Sequence, residues 1–267
     1  VSSLRRIGLL ALLCVVFLSA HGTVPRTVAP GNELAKAWRD FMADPRGAMP
    51  VRRFPFEHCF RRAAAAYDLP LVLLLAVARG ESDFQPRARS QANAHGLMQI
   101  QWPGTARHLG ISRLAALYEP CTNVDAGSRY LRELLERYGG NLHLALAAYN
   151  YGPGRVRVGT KVLPQGAYWY SGYIHRHLNY VLGKGAGRAS KKATMAYRDE
   201  RKIDVVSFAR PYRAAAFVRR MERAAPSVRL DWFRSSTERF RVVLLFRGDE
   251  ELARSRRSLR RNGFVLD

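Results

Sequence analysis

Apolar positions recur at helical spacing through the first two thirds of the chain and at strand spacing through the last third. Leu71, Leu74, Leu75 and Ala78 lie three and four residues apart, so one helical face is expected to be buried. Asp68 can cap that helix and Pro70 suits its first turn. Leu74, Val77 and Ala78 share a face with Glu81, where the greasy stretch ends. A helix over 54–67 precedes it. Residues 122–138 form another, with Val124, Tyr130, Leu131, Leu134 and Leu135 inward and Gly139-Gly140 ending it. The Ala-rich segment 142–149 stops at Gly152-Pro153-Gly154, and 168–182 is expected to be a closing helix. No strand pattern stands out here, so this half is expected to be mainly α-helical.

After Gly183 the composition turns to Gly, Ser and Lys, which reads as a flexible linker over 184–201. Strands are expected over 203–208, at Val228 to Phe233, and at Phe240 to Phe246, where apolar residues alternate. Helices are expected over 211–225 and 249–262, the second stopped by Gly263. Ser235-Ser236 reads as a turn and 264–266 as a last short strand. The order is β-α-β-β-α-β, a small α+β domain over 202–267.

Composition changes the picture at the N-terminus and in the charge. Residues 1–22 have a basic start, a short apolar run and small residues before a plausible cleavage point, as in a secretory signal peptide. The run is shorter than the ~20 residues of a comfortable membrane span. The expected location is therefore exported, in the periplasm or cell envelope. Residues 23–53 are rich in Pro, Gly and Arg and read as a linker, with a short amphipathic helix at 34–43. The net charge of +23 fits a nucleic-acid binder, a partner of an anionic polymer, or a merely solvated Arg-rich surface, and charge alone does not choose among them.

Glu81 holds the candidate chemistry. A carboxyl at the end of an apolar face keeps its proton near neutral pH and can donate it to a leaving oxygen. The plain alternative is a helix-end acid in water. Three separated motifs bear on this choice: E-S-D-F-Q-P from Glu81, G-L-M-Q-I from Gly96, and A-A-Y-N-Y-G-P-G from Ala147. In order and spacing they resemble the catalytic domain of soluble-type lytic transglycosylases, lysozyme-like enzymes that cut the glycan of bacterial peptidoglycan. The resemblance covers roughly residues 54–183. It implies a lysozyme-like helical fold, Glu81 as the single acid and base, and a 1,6-anhydro-muramyl product formed without water. No second carboxylate is apparent: Asp83 points to another side, and Asp125, Glu133 and Glu136 sit on a polar face. No cofactor and no metal is implied. His175 and His177 lack helical zinc spacing, and His95 and His108 read as surface groups.

Further roles carry over by position. Ser82 would hold the turn after the acid. Ser90, Gly96, Gln99 and Asn150 would meet the sugar, and the Tyr149 hydroxyl would reach Glu81. Met98 and Ile100 read as core. The chain departs from the family at Q-W-P-G-T, which leaves Gln101 and Trp102 unassigned. A family subgroup linked to secretion and conjugation machines has a cysteine at the places of Cys59 and Cys121; this implies one disulfide and a cell-envelope machine as host. The C-terminal order resembles SPOR domains, which bind glycan stripped of its peptides; the alternative is a ferredoxin-like accessory domain. The expected partner is the peptidoglycan glycan strand, not nucleic acid. The rival readings are a water-using muramidase and a non-catalytic wall-binding protein.

Overall fold

The computed structural model describes residues 30–45, 48–159, 165–184, 200–236 and 239–266. The expected signal peptide and most of the expected linker over 184–201 lie outside the described residues. The helical part comprises α1 (Pro30–Ala43), α2 (Glu57–Ala66), α3 (Leu71–Ser82), a short hairpin β1 (Ala94–His95) and β2 (Ile100–Gln101), α4 (Gly104–His108), a 3-10 turn (Leu114–Tyr118), α5 (Pro120–Arg137), α6 (Leu142–Tyr151) and α7 (Gln165–Val181). The C-terminal part comprises β3 (Arg201–Phe208), α8 (Pro211–Ala224), β4 (Arg229–Ser236), β5 (Arg239–Phe246) and α9 (Asp249–Arg261).

The centre of the helical part is α3. Every residue from Val72 to Ala78 is fully buried, so this helix is enclosed on all sides rather than on one face. It begins at Leu71 with Pro70 in the capping position and no side-chain cap; Asp68 does not serve. Trp38 of α1 is also buried, and its indole N–H donates to Ser171 Oγ at 2.7 Å. The segment expected as a linker over 23–53 therefore contains a packed helix. The expected disulfide is present: Cys59 of α2 and Cys121 of α5 are bonded, their Cα atoms 4.9 Å apart. The β1–β2 hairpin was not expected, because two-residue strands are too short to show a period.

The C-terminal sheet is antiparallel, in the order β3-β5-β4. Two expectations need correction. β4 continues through Ser236, which pairs with Arg239, so Ser235-Ser236 is strand and not turn. No strand forms at 264–266, so the observed order is β-α-β-β-α. Gly263 takes a φ of +83° and the Phe264 amide returns to the Leu259 carbonyl at 2.9 Å, which closes the end of α9. Phe264 and Leu266 then pack against the cluster of Met221, Val228, Leu244 and Leu259 under the helices.

β4 is an edge strand and lies against the helical part. An edge leaves backbone groups unpaired, and here α7 supplies partners. Arg176 donates to the Trp232 carbonyl at 2.6 Å, and the Arg234 amide donates to the Tyr173 hydroxyl at 3.2 Å. Asp231 sits between Arg79 of α3, at 2.6 Å, and Arg176 of α7. Arg79 is fully buried and its guanidinium lies 3.4 Å from the centre of the Tyr180 ring. The sheet face that carries Asp231 also gains apolar cover, with Phe233, Val243 and Leu245 packed against Tyr180. This explains why β4 is buried at Asp231 and Phe233, where simple alternation would expose one face.

His177 of α7 joins the same cluster, its Nδ1 2.6 Å from Arg79. Burial, followed by the charges of Arg176, Arg79 and Lys202, pushes its imidazole well below the usual range. The fold thus keeps His177 neutral, and its contribution to stability is present above the unfolded value of about 6.5 and is lost as pH falls below it. The unfolding midpoint in urea should fall between about pH 7.5 and about pH 5.5, and the slope should be shallower in His177→Gln. The slope should not vanish, because His95, His143 and His175 are shifted in the same direction by burial. Asp231→Ala leaves Arg79 and Arg176 without their carboxylate and should cost about 3–5 kcal/mol in the same assay.

Candidate active site

α3 ends where Asp83 and Phe84 take left-handed conformations, with φ of 52° and 62°. Ser82 fixes this end: its hydroxyl lies 3.2 Å from the Ala78 carbonyl and 2.8 Å from the Leu97 carbonyl, the latter in the hairpin turn. One residue earlier, Glu81 projects from the buried helix with its side chain only 2% exposed. The apolar surroundings foreseen for it are present, but the carboxylate also has partners. Tyr170 of α7 donates its hydroxyl to Oε1, and the Arg234 guanidinium of β4 lies 2.6 Å from Oε2. The same guanidinium donates to Asn150 Oδ1.

These partners are polarised by one another. Tyr170 is held well above the usual phenol range, first by burial and then by the Glu81 charge, so it stays a neutral donor. Burial alone would pull Arg234 down; the Glu81 carboxylate and the Tyr170 and Tyr173 rings more than offset that, and the guanidinium is held above its ordinary value.

Tyr149 departs from its expected role. Its hydroxyl donates to the Met98 carbonyl at 2.8 Å, and the phenol on Glu81 is Tyr170 instead. Tyr149 is close enough that the Glu81 charge adds to the burial that raises its own phenol. Ser90 Oγ accepts from the Ala94 amide at 3.0 Å and so closes the hairpin. Gln99 Nε2 donates to the Gly96 carbonyl at 2.9 Å and to that of Ala88 at 3.3 Å. Gly96 has a φ of +80°, and a Cβ there would lie 2.2 Å from Asn123 Nδ2. Gly96 therefore serves close packing against α5 and is not on the groove wall.

A groove of about 1050 Å³ runs over Glu81 and is lined by Ser90, Gln99, Tyr149, Asn150 and Trp169 on the helical side. The C-terminal part supplies the other wall through Ser207, Phe233, Arg234, Arg239 and Arg241. The groove thus unites Glu81, Ser82, Ser90, Gln99, Tyr149 and Asn150 of the expected set. Two further carboxylates along it are engaged: Asp83 with Lys202, and Asp204 with Arg241 at 3.3 Å.

Sequence reasoning missed three groups. Tyr170 is one of several aromatics in α7, with nothing local to single it out. Arg234 is one of many arginines and lies 153 residues from its partner. Asn123, a buried polar residue on the inward face of α5, binds the Met98 amide and the carbonyls of His95 and Leu117. His95 is buried and bonded to Tyr118 and Asn93, not a surface group. His58 lies beside Cys59 and Cys121, but the disulfide takes both sulfurs out of metal ligation.

The chain is similar to known lytic transglycosylases. The chain is 40% identical over 114 residues to the soluble lytic murein transglycosylase of Escherichia coli (strain K12), covering 39% of this chain and 18% of that protein. It is 34% identical over 134 residues to the transglycosylase of Enterobacteria phage PRD1, covering 50% and 47%. Against the crystal structure of the 70 kDa soluble lytic transglycosylase of Escherichia coli, the identity is 26% and the TM-score 0.43, over 58% of this chain and 29% of that one. The chain thus spans less than half the length of each of these relatives. Residues 58–164, which include Glu81, the hairpin and the Tyr149-Asn150 pair, match the family described as Transglycosylase SLT domain.

Proposed function

We propose that the protein is a peptidoglycan lytic transglycosylase that cleaves the β-1,4 bond between N-acetylmuramic acid and N-acetylglucosamine. The observation that carries this reading is the placement of Glu81: a buried carboxyl at the base of a long groove, with the Tyr170 hydroxyl fixing one oxygen. Glu81 protonates the glycosidic oxygen, and the departing sugar leaves positive character at C1 of the muramyl residue. The substrate's own acetamido oxygen supports that carbon, as in substrate-assisted glycosidases. Glu81, now a base, takes the proton of the muramyl C6 hydroxyl, whose oxygen closes on C1 as a 1,6-anhydro ring. One side chain gives a proton and recovers it, and water is not consumed. The engagement of Asp83 and Asp204 with basic partners fits a scheme that needs no second carboxylate.

Ser90 and Gln99, both on the groove, serve in this reading to shape the wall that meets sugar amides and hydroxyls. Tyr149 and Asn150 form the same wall further along. The C-terminal unit is a second glycan-contacting surface through Arg239 and Arg241, which suit the carboxylates that muropeptides bear. Its SPOR-like character rests on element order alone, and the fourth strand of that pattern is not formed. Export to the cell envelope accords with the substrate and with the N-terminal pattern. A host secretion or division machine rests on the cysteine positions alone.

Soluble products released from purified sacculi test the reading. The wild-type chain should release anhydro-muropeptides detectable by mass spectrometry. Glu81→Gln should lower the rate by about 10²–10⁴-fold while binding to sacculi persists. Products heavier by one water would show a muramidase instead, and unchanged cleavage by Glu81→Gln would remove the acid from the scheme.

A further inference from the structure

We propose that Arg234 is a specificity-determining residue that reads a carboxylate on the glycan: its guanidinium exchanges Glu81 for the lactyl carboxylate of the muramyl residue at the scissile bond. This rests on the reading of Glu81 as the acid. To protonate the glycosidic oxygen, a Glu81 oxygen must come within hydrogen-bond reach of it. Tyr170 engages Oε1, and Arg234 lies 2.6 Å from Oε2. The same guanidinium donates to Asn150 Oδ1 on the groove wall. One cation therefore occupies two groups that a sugar seated at the acid would meet, and it must let go of them for the sugar to dock.

What releases Arg234 decides the substrate. Its side chain is 20% exposed, and a guanidinium left there without an anion is costly. A neutral sugar offers only hydroxyls and amides in exchange. A carboxylate restores a charge-assisted bond, and the planar fork of arginine can hold it through two nitrogens. N-acetylmuramic acid differs from N-acetylglucosamine by a lactyl ether at C3 that ends in a carboxyl group. The muramyl C1 is the reacting carbon, so that carboxyl arrives on the sugar at the acid. The other arginines of the groove are placed differently. Arg87, Arg89, Arg155 and Arg239 are exposed and screened, and Arg241 is engaged by Asp204. The strand bearing Arg234 is fastened to α7 at its own amide and at the Trp232 carbonyl, so the guanidinium can swing while the main chain stays. Arg234 lies outside the 58–164 segment that matches the transglycosylase family, so this selection belongs to the C-terminal unit.

The test uses glycan strands freed of their peptides, in a native form with lactyl carboxylates and in a carboxyl-reduced form where these are alcohols. The wild-type full chain should cut the native form with a kcat/KM about tenfold or more higher, chiefly through KM. In Arg234→Gln the two forms should be cut within about twofold of each other. Arg234→Lys keeps the charge without the fork and should retain a smaller preference; it carries the same comparison should Arg234→Gln not fold. A second readout needs no cleavage. The disaccharide with N-acetylmuramic acid at its reducing end lacks the scissile bond, and calorimetry should show the wild type binding it more tightly than its carboxyl-reduced form, a difference that Arg234→Gln abolishes. Equal use of both forms by the wild type overturns the proposal and leaves the transglycosylase reading standing. So does a preference that Arg234→Gln retains in full, which would move the carboxylate contact to the rim. Binding that depends on both the carboxyl and Arg234, in a chain that cuts no glycan, would support this contact while removing the transglycosylase reading.

Discussion

The contact on which the arrangement depends is the seam between the edge of β4 and α7. An exposed strand edge and an isolated buried guanidinium are each costly. Here each resolves the other. Asp231 neutralises Arg79 and Arg176, and Arg176 and Tyr173 take the backbone groups that the sheet leaves open. Because the hydrogen bonds at Trp232 and Arg234 are to main chain, they fix the register of the strand along the helix as well as its presence. Register matters, since a slip of one residue would turn Arg234 to the other face of the sheet and away from Glu81.

The site follows from that register and from the burial of α3. A helix enclosed on all sides has little freedom to shift, so the position of Glu81 is set by packing from Val72 to Ala78. Ser82 locks the helix end to the hairpin turn, and Asn123 holds that turn from beneath. The groove therefore has a rigid floor, built from local elements of the helical part. Its other wall is supplied by a unit distant in sequence, which fits against the floor through the seam.

What was legible in the chain follows this division. The burial of α3 up to Glu81 and the core places of Met98 and Ile100 could be read from local spacing, and the disulfide from the cysteine count and the resemblance. The C-terminal strands and helices were legible in their period, but the last strand was not correctly read. At 264–266 a short apolar run looks the same whether it pairs in a sheet or folds back over a helix end, and the Phe264 amide decided for the latter. Tyr149 was misassigned for a related reason: a motif places a phenol near the acid but does not say which phenol of two faces it. Tyr170 reaches Glu81 because α7 lies alongside α3, a tertiary fact with no local signature. Arg234 was hidden by abundance, one arginine among many in a chain of net charge +23.

That abundance bears on what the charge means. Screening at physiological salt acts over roughly 8 Å, so exposed cations around the groove rim shape approach more than chemistry. Arg87, Arg89, Arg155 and Arg239 are of this kind, exposed along the groove. Arg79 and Arg234 differ in burial and in the carboxylates they meet, Asp231 and Glu81. The first joins the two parts of the chain and the second meets the acid. The buried contacts thus depend on two arginines that composition could never have distinguished from the rest of the positive charge. A change of charge on the rim acts through a screened field, whereas the same change at Arg234 removes a direct contact with the Glu81 carboxylate.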